Sequence, residues 1–175
     1  MIYYVRHGES EANVKKVFTG PDYPAQLTAK GRNQAMLAGE KMLDDGINVD
    51  RIICSTMQRA KDTASIISDV IGFDKNKIIY NSKLVEYDMG VLSRKLMEGV
   101  TSLERVTADG AESPYAFQER VMTCLQEIKL LSGNTLIVCH AGIGRIFEVT
   151  KKGISPMNVF DMETYFNARV IQLDF

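Results

Sequence analysis

The chain has 175 residues, 45% of them hydrophobic and 25% charged, with a formal net charge of -1. That length suits a single domain with a substantial core, and the near-neutral balance gives no global attraction to nucleic acid or to an anionic membrane. No apolar run approaches the ~18 residues a membrane span requires, and three scattered cysteines suit a reducing setting, so a cytoplasmic location is the default expectation.

Ile2–Val5 reads as a short buried strand that runs into Arg6, His7 and Gly8, with no charged leader before it. Thr28 can cap a helix reaching about Asp45 and closed by Gly46. Arg51–Cys54 is a second strand. From Gln58 to Ile71 the pattern places Ala60, Ala64, Ile67 and Ile71 on one helical face and stops at Gly72. Ile78–Tyr80 is a third strand. The stretch from Glu86 to Glu112 is weakly periodic and dotted with Gly90, Gly99 and Gly110, and a connection that long is expected to be a lid or substrate-binding segment. Ser113 and Pro114 then start a helix whose stripe is Phe117, Val121, Leu125 and Ile128, with Gly133 beyond its end. Thr135–Cys139 is a fourth strand, a last helix runs from about Gly142 to Lys151, and Arg169–Leu173 is a fifth strand. Strand and helix in turn imply crossover connections and a mostly parallel α/β sheet covered on both faces. The three cysteines, Cys54, Cys124 and Cys139, are too scattered for a disulfide or zinc framework.

In open parallel sheets, ligands bind at the carboxyl ends of strands. Arg6 and His7 follow the first strand, Arg59 lies in the first turn of the helix after the second, and Glu86 lies past the third. His140, the second of only two histidines, follows the fourth, where the backbone of Ala141 and Gly142 leads into a helix. Together they would make a pocket of two guanidiniums, two imidazoles and a carboxyl. Guanidinium forks and helix-start N–H groups fit the oxygens of a phosphate monoester, and Asn13 could donate one hydrogen bond more. One imidazole can attack phosphorus through one nitrogen while the other nitrogen is held by a carbonyl such as that of Gly8. The second, if protonated, would act with the arginines on charge developing at the equatorial oxygens. Glu86 is the available acid for the leaving alkoxide. No His/Asp/Cys ligand cluster is visible, so no metal or other cofactor is expected.

These segments resemble the histidine phosphatase superfamily, also called phosphoglycerate mutase-like. "RHGES" with Asn13 matches its opening signature, and "DYPAQLTAKGRNQA" resembles its aspartate, leucine-threonine and glycine-glutamine-alanine stretch. "CSTMQRAKDTA" matches the second-arginine segment, "LVEYDMG" the general-acid segment, and "VCHAGIGR" the second-histidine segment. "GAESPYAFQERV" resembles the helix entry that commonly precedes it. The resemblance spans nearly the whole chain, in order. It implies a three-layer α/β/α sandwich with a mainly parallel sheet and one antiparallel edge strand. It also implies His7 as phosphate acceptor, Arg6, Arg59 and His140 as phosphate holders, Glu86 as acid and base, and Asn13, Thr19 and Gly20 at phosphate or substrate contacts. The implied activity is hydrolysis of a small phosphomonoester. Cys139 and Ala141 stand where serine and glycine are more usual, and "YDMGVLSRKLMEG" departs from the common pattern after the acid.

Two other enzymatic readings stay open on the residues. Cys139, five residues and Arg145 satisfy the C-x5-R loop of cysteine-dependent phosphatases, although Val138 and Ile146 replace the histidine and hydroxyl residue expected around it. A mutase of the same superfamily would return the phosphoryl group to a bound intermediate, but such mutases are generally longer. A domain that only binds phospho-ligands would need neither both histidines nor Glu86.

Overall fold

Each short apolar run becomes a strand because its side chains alternate between two buried faces. A computed structural model describes residues 1–21 and 23–174. Strands β1 (Ile2–Arg6), β2 (Arg51–Ser55), β3 (Ile79–Asn81), β4 (Thr135–Cys139) and β5 (Val170–Gln172) form one sheet in the order β3-β2-β4-β1-β5. Neighbours pair parallel except β5, which lies antiparallel to β1 at the edge.

Register across the three central strands sets the two cores. Tyr4, Ile137 and Ile53 stand in one row, and Tyr3, Leu136 and Ile52 in the next. The first row faces helices α5 (Pro114–Lys129) and α6 (Ala141–Lys152), packing with Phe117, Val121, Leu125, Ile143 and Phe147. The second faces α2 (Ala29–Asp44) and α3 (Gln58–Ile71), packing with Ala38, Met42, Ala60, Ala64 and Ile67. This is a three-layer α/β/α sandwich, as expected. The helix ends follow their signals: Thr28 Oγ1 accepts from Gly31 N–H at 2.9 Å, Pro114 opens α5, and Gly72 closes α3 at φ 70°.

Boundaries shift by a residue or two. β1 runs on to Arg6 and β2 to Ser55, and the third strand starts at Ile79 because Ile78 closes a 3-10 turn over Lys75–Lys77. Two short helices were not legible. α1 (Glu11–Lys15) follows Ser10, whose N–H donates to Asn13 Oδ1 at 3.0 Å. α4 (Ser102–Thr107) lies within the Glu86–Glu112 stretch and starts at a Thr101/Glu104 capping box. That stretch is tied down over the loop after α1: Phe18 N–H donates to the Lys95 carbonyl, Arg94 N–H to that of Phe18, and Met97 N–H to that of Lys16.

Candidate active site

The carboxyl ends of β1, β4 and β2 lie side by side, so the residues that follow them must meet. His7 N–H donates to the Cys139 carbonyl at 3.0 Å, one step beyond the last strand pair. The two imidazoles sit 5.3 Å apart, centroid to centroid, and both are buried. Glycines let the loop after β1 press against the start of α2. A Cβ on Gly8 would collide with the Gly31 carbonyl, and one on Gly31 with the Glu9 carbonyl. Gly8 N–H donates to Thr63 Oγ1 on α3 at 3.0 Å, and Asn167 Nδ2 to the His7 carbonyl at 2.8 Å. The His7 backbone is thereby fixed from both faces of the loop.

Hydrogen bonds assign the His7 tautomer. Nδ1 lies 2.7 Å from the Gly8 carbonyl, an acceptor only, so Nδ1 carries the proton. Nε2 is then a lone pair, and it accepts from Arg59 Nε at 3.0 Å. Arg59 is 2% exposed and donates through Nη2 to Thr19 Oγ1 at 3.2 Å. His140 Nε2 lies 2.7 Å from Ser55 Oγ. That oxygen also accepts from Met57 N–H at 3.3 Å, so Ser55 ties the imidazole to the start of α3. Tyr4 O–H donates to the His140 carbonyl at 2.8 Å. Three buried nitrogens around this cluster have no partner among the described residues: Arg6 Nε, Arg59 Nη1 and His140 Nδ1. Buried polar groups are nearly always satisfied, so two unpaired guanidinium donors beside an unpaired imidazole nitrogen call for an acceptor-rich ligand.

Glu86 comes from the segment beyond β3 and is placed by two contacts. Its carboxylate accepts from Gly142 N–H at 3.1 and 3.2 Å and from Tyr87 N–H at 2.9 Å, capping α6. A Cβ on Gly142 would strike Glu86 Oε1, so glycine is what admits the acid there. Behind it, Arg120 of α5 donates to the carbonyls of Lys83, Val85 and Glu86 and forms a bidentate pair with Glu112 at 2.6 and 2.9 Å. One guanidinium thus holds the strand of backbone that carries Glu86. Arg120 had no role in the sequence reading, because its carbonyl partners are remote along the chain.

A cavity of about 290 Å³ opens over His7, lined also by Arg6, Asn13, Thr19, Arg59, Glu86 and Ala141 among others, while His140 lies behind it, fully buried. Two expected contacts fall elsewhere. Gly20 lines a neighbouring depression with Asp88, Ser93 and Arg94, because the chain turns away after Thr19. Gly142 N–H is spent on Glu86. Asn13 lends its Oδ1 to Ser10, so its amide nitrogen is the donor that remains. Asp22, at the head of the "DYPAQLTAKGRNQA" segment, lies outside the described residues. Arg105, which no motif marks, and Arg145, which figures only in the C-x5-R alternative, both line the cavity. For that alternative the thiol is wrong: Cys139 is fully buried in the α5/α6 core, and burial pushes its pKa well above the usual thiol range. Among the described residues no group of three or more His, Cys, Asp or Glu is placed to hold a metal ion, and no helix is long and apolar enough to cross a membrane.

Burial, then the charges of Arg59 and Arg6, lowers His7 well below its ordinary 6.5, against the Gly8 carbonyl. Burial, then Arg59, His7 and Arg6, does the same to His140. Below pH ~6.5 the unfolded chain therefore takes up protons that the folded protein refuses. Stability contributed by these neutral imidazoles is complete above that pH and is lost as pH falls, with a slope of up to about 1.4 kcal/mol per pH unit for each histidine. The lowered carboxylates, Glu9, Glu104 and Asp161, act in the same direction but in the window below their ordinary values of 4.5, 4.5 and 3.8. Denaturant unfolding should show stability dropping between about pH 7 and pH 5, and a His7→Gln/His140→Gln double variant should flatten that drop. Equal slopes in the two proteins would contradict the assignment.

Comparison with known proteins agrees with this geometry. The model of the histidine phosphatase superfamily (branch 1) matches residues 2–175. A Salmonella arizonae protein named "Probable phosphoglycerate mutase GpmB" is 36% identical over 155 residues, covering 81% of this chain and 69% of its own. Its counterpart in Salmonella paratyphi B is 41% identical with the same coverage. Among solved structures, Bacillus stearothermophilus YhfR superposes with a TM-score of 0.81 at 23% identity, over 97% of this chain and 88% of its own. The mycobacterial glucosyl-3-phosphoglycerate phosphatase superposes with a TM-score of 0.80 at 19% identity and the same coverage. Sheet order, paired imidazoles and sequence thus agree, and the chain belongs to the histidine phosphatase superfamily, branch 1, whose members are phosphatases and mutases working through a phosphohistidine.

Proposed function

We propose that this enzyme hydrolyses the phosphomonoester of a small molecule, with His7 as the covalent acceptor and without a metal ion. The observation that carries the reading is the His7 Nε2 lone pair, tautomerically fixed and surrounded by nitrogens of Arg6, Arg59 and His140 that lack partners among the described residues. The phosphoryl group would sit among these nitrogens, taking over the Arg59 Nε–H that Nε2 now accepts. Nε2 attacks phosphorus, the P–O ester bond breaks, and the Glu86 proton passes to the leaving oxygen. In the second half Glu86 takes a proton from water, the water oxygen bonds phosphorus, and the N–P bond breaks to return the lone pair to Nε2. His140 becomes cationic only beside a counter-charge, and a phosphoryl dianion supplies one, so its positive form is matched to the charged ligand. The small cavity favours a metabolite-sized substrate.

The names of the Salmonella relatives support a second reading, a phosphoglycerate mutase. The first half-reaction is common to both, and they part at the second, where either water or a bound hydroxyl accepts the phosphoryl group. A panel of phosphomonoesters that includes 3-phosphoglycerate, assayed for inorganic phosphate with and without a bisphosphoglycerate primer, separates them. Phosphate release that does not need the primer is expected. Isomer formation that requires it would assign the mutase instead.

A further inference from the structure

Charge in the cavity exceeds what one phosphoryl group uses. Among the described residues four guanidiniums line it, Arg6, Arg59, Arg105 and Arg145, against the one carboxyl group of Glu86. A phosphate monoester brings about -1.5 to -2, and its donors are already accounted for on Arg6, Arg59 and His140. The other two arginines form a separate pair. Each guanidinium carbon lies 5.7 Å from the centroid of the Phe160 ring, and Arg105 also lies 5.2 Å from that of Phe18. Neither arginine joins an ion pair among the described residues, whereas Arg120, outside the cavity lining, is matched by Glu112. Arg145 donates Nε to the Met162 carbonyl at 3.0 Å and Arg105 donates Nη2 to that of Val100 at 3.2 Å. Those bonds fix the side chains and leave the forks with free donors, including a buried, unpartnered Arg105 Nε. Burial lowers the pKa of both, and Arg145 feels Glu86, Arg6 and Arg105 in turn.

We propose that Arg105 and Arg145, braced on Phe160, form a second anion subsite, so that the substrate is a phosphomonoester carrying a further carboxylate or phosphate. This rests on the phosphatase reading above and adds the substrate class. Guanidinium forks pair with either anion in the same geometry. Aromatic rings behind them exclude water, which strengthens the contact over that at an open surface. Selectivity then comes from α4 and α6, which carry Arg105 and Arg145 to the same Phe160 ring, and not from the phosphate-holding residues.

The test compares three-carbon esters that differ in the second group. Wild-type kcat/KM is measured by phosphate release for glycerol 3-phosphate, 3-phosphoglycerate and glycerol 1,3-bisphosphate. An advantage of roughly 10–100-fold is expected for an anionic ester over the neutral one, the scale of one charge-assisted pair. Whether carboxylate or second phosphate gains more identifies the source of the anion. Arg105→Gln and Arg145→Gln should each reduce that advantage by about tenfold or more, chiefly through KM. Hydrolysis of all three esters at equal kcat/KM would overturn the second subsite and leave the phosphatase reading standing. No hydrolysis of any ester would instead remove the phosphatase reading. An undiminished advantage in both variants would move the subsite to other residues.

Discussion

His7→Ala should lower hydrolysis of a generic aryl phosphate by at least about 10⁴-fold, the scale of losing a covalent nucleophile. No other group can take over. His140 is fully buried, and its Nε2 is engaged with Ser55 Oγ at 2.7 Å. Cys139, the other nucleophile nearby, is fully buried and held as the neutral thiol. Cys139→Ser should therefore retain most activity, with a stability cost of about 1–3 kcal/mol from a hydroxyl in an apolar core. Activity lost in the serine variant but kept in His7→Ala would transfer the nucleophile to the thiol.

Arg59→Met should cost about 10²–10³-fold in kcat, as expected for removing a preorganised donor from a developing anion, yet leave the fold intact. Burial lowers the Arg59 pKa to about 10, which corresponds to a penalty on the order of 3 kcal/mol for holding the charge there. Methionine of similar length removes that penalty and fills the space, at the cost of two hydrogen bonds, to His7 and Thr19. Unfolding free energy should thus stay within about 2 kcal/mol of wild type. Inorganic phosphate, which stabilises a protein in proportion to its affinity for the folded form, should raise the wild-type melting temperature and have far less effect on the variant. A fully active Arg59→Met enzyme would remove Arg59 from the reaction; an unfolded one would make its role structural.

Those two residues were legible before the structure because each follows a strand whose ending the apolar pattern marks. The long helices were legible for the same reason: α3 and α5 carry apolar stripes over several turns, and glycine or proline stands at their ends. α1 and α4 were not, since helices of five and six residues hold no periodicity and only their capping boxes speak for them. At the site, the Gly8 carbonyl partner of His7 is local in sequence and was foreseen. That Gly142 N–H would serve Glu86 depends on the path of a remote loop. Arg120 and Arg105 become meaningful only through tertiary partners, the first through three carbonyls and Glu112, the second through Phe18 and Phe160. Arg145 stood in plain view, four residues after Ala141 and so on the same face of α6.

The central claim is a phosphoryl group on His7, and rapid quenching during turnover tests it most directly. Enzyme mixed with ³²P-labelled substrate and quenched in base should carry label that survives base, is released by acid, and maps to the peptide bearing His7. Label that withstands acid, or that maps to the peptide bearing Cys139, would contradict the account.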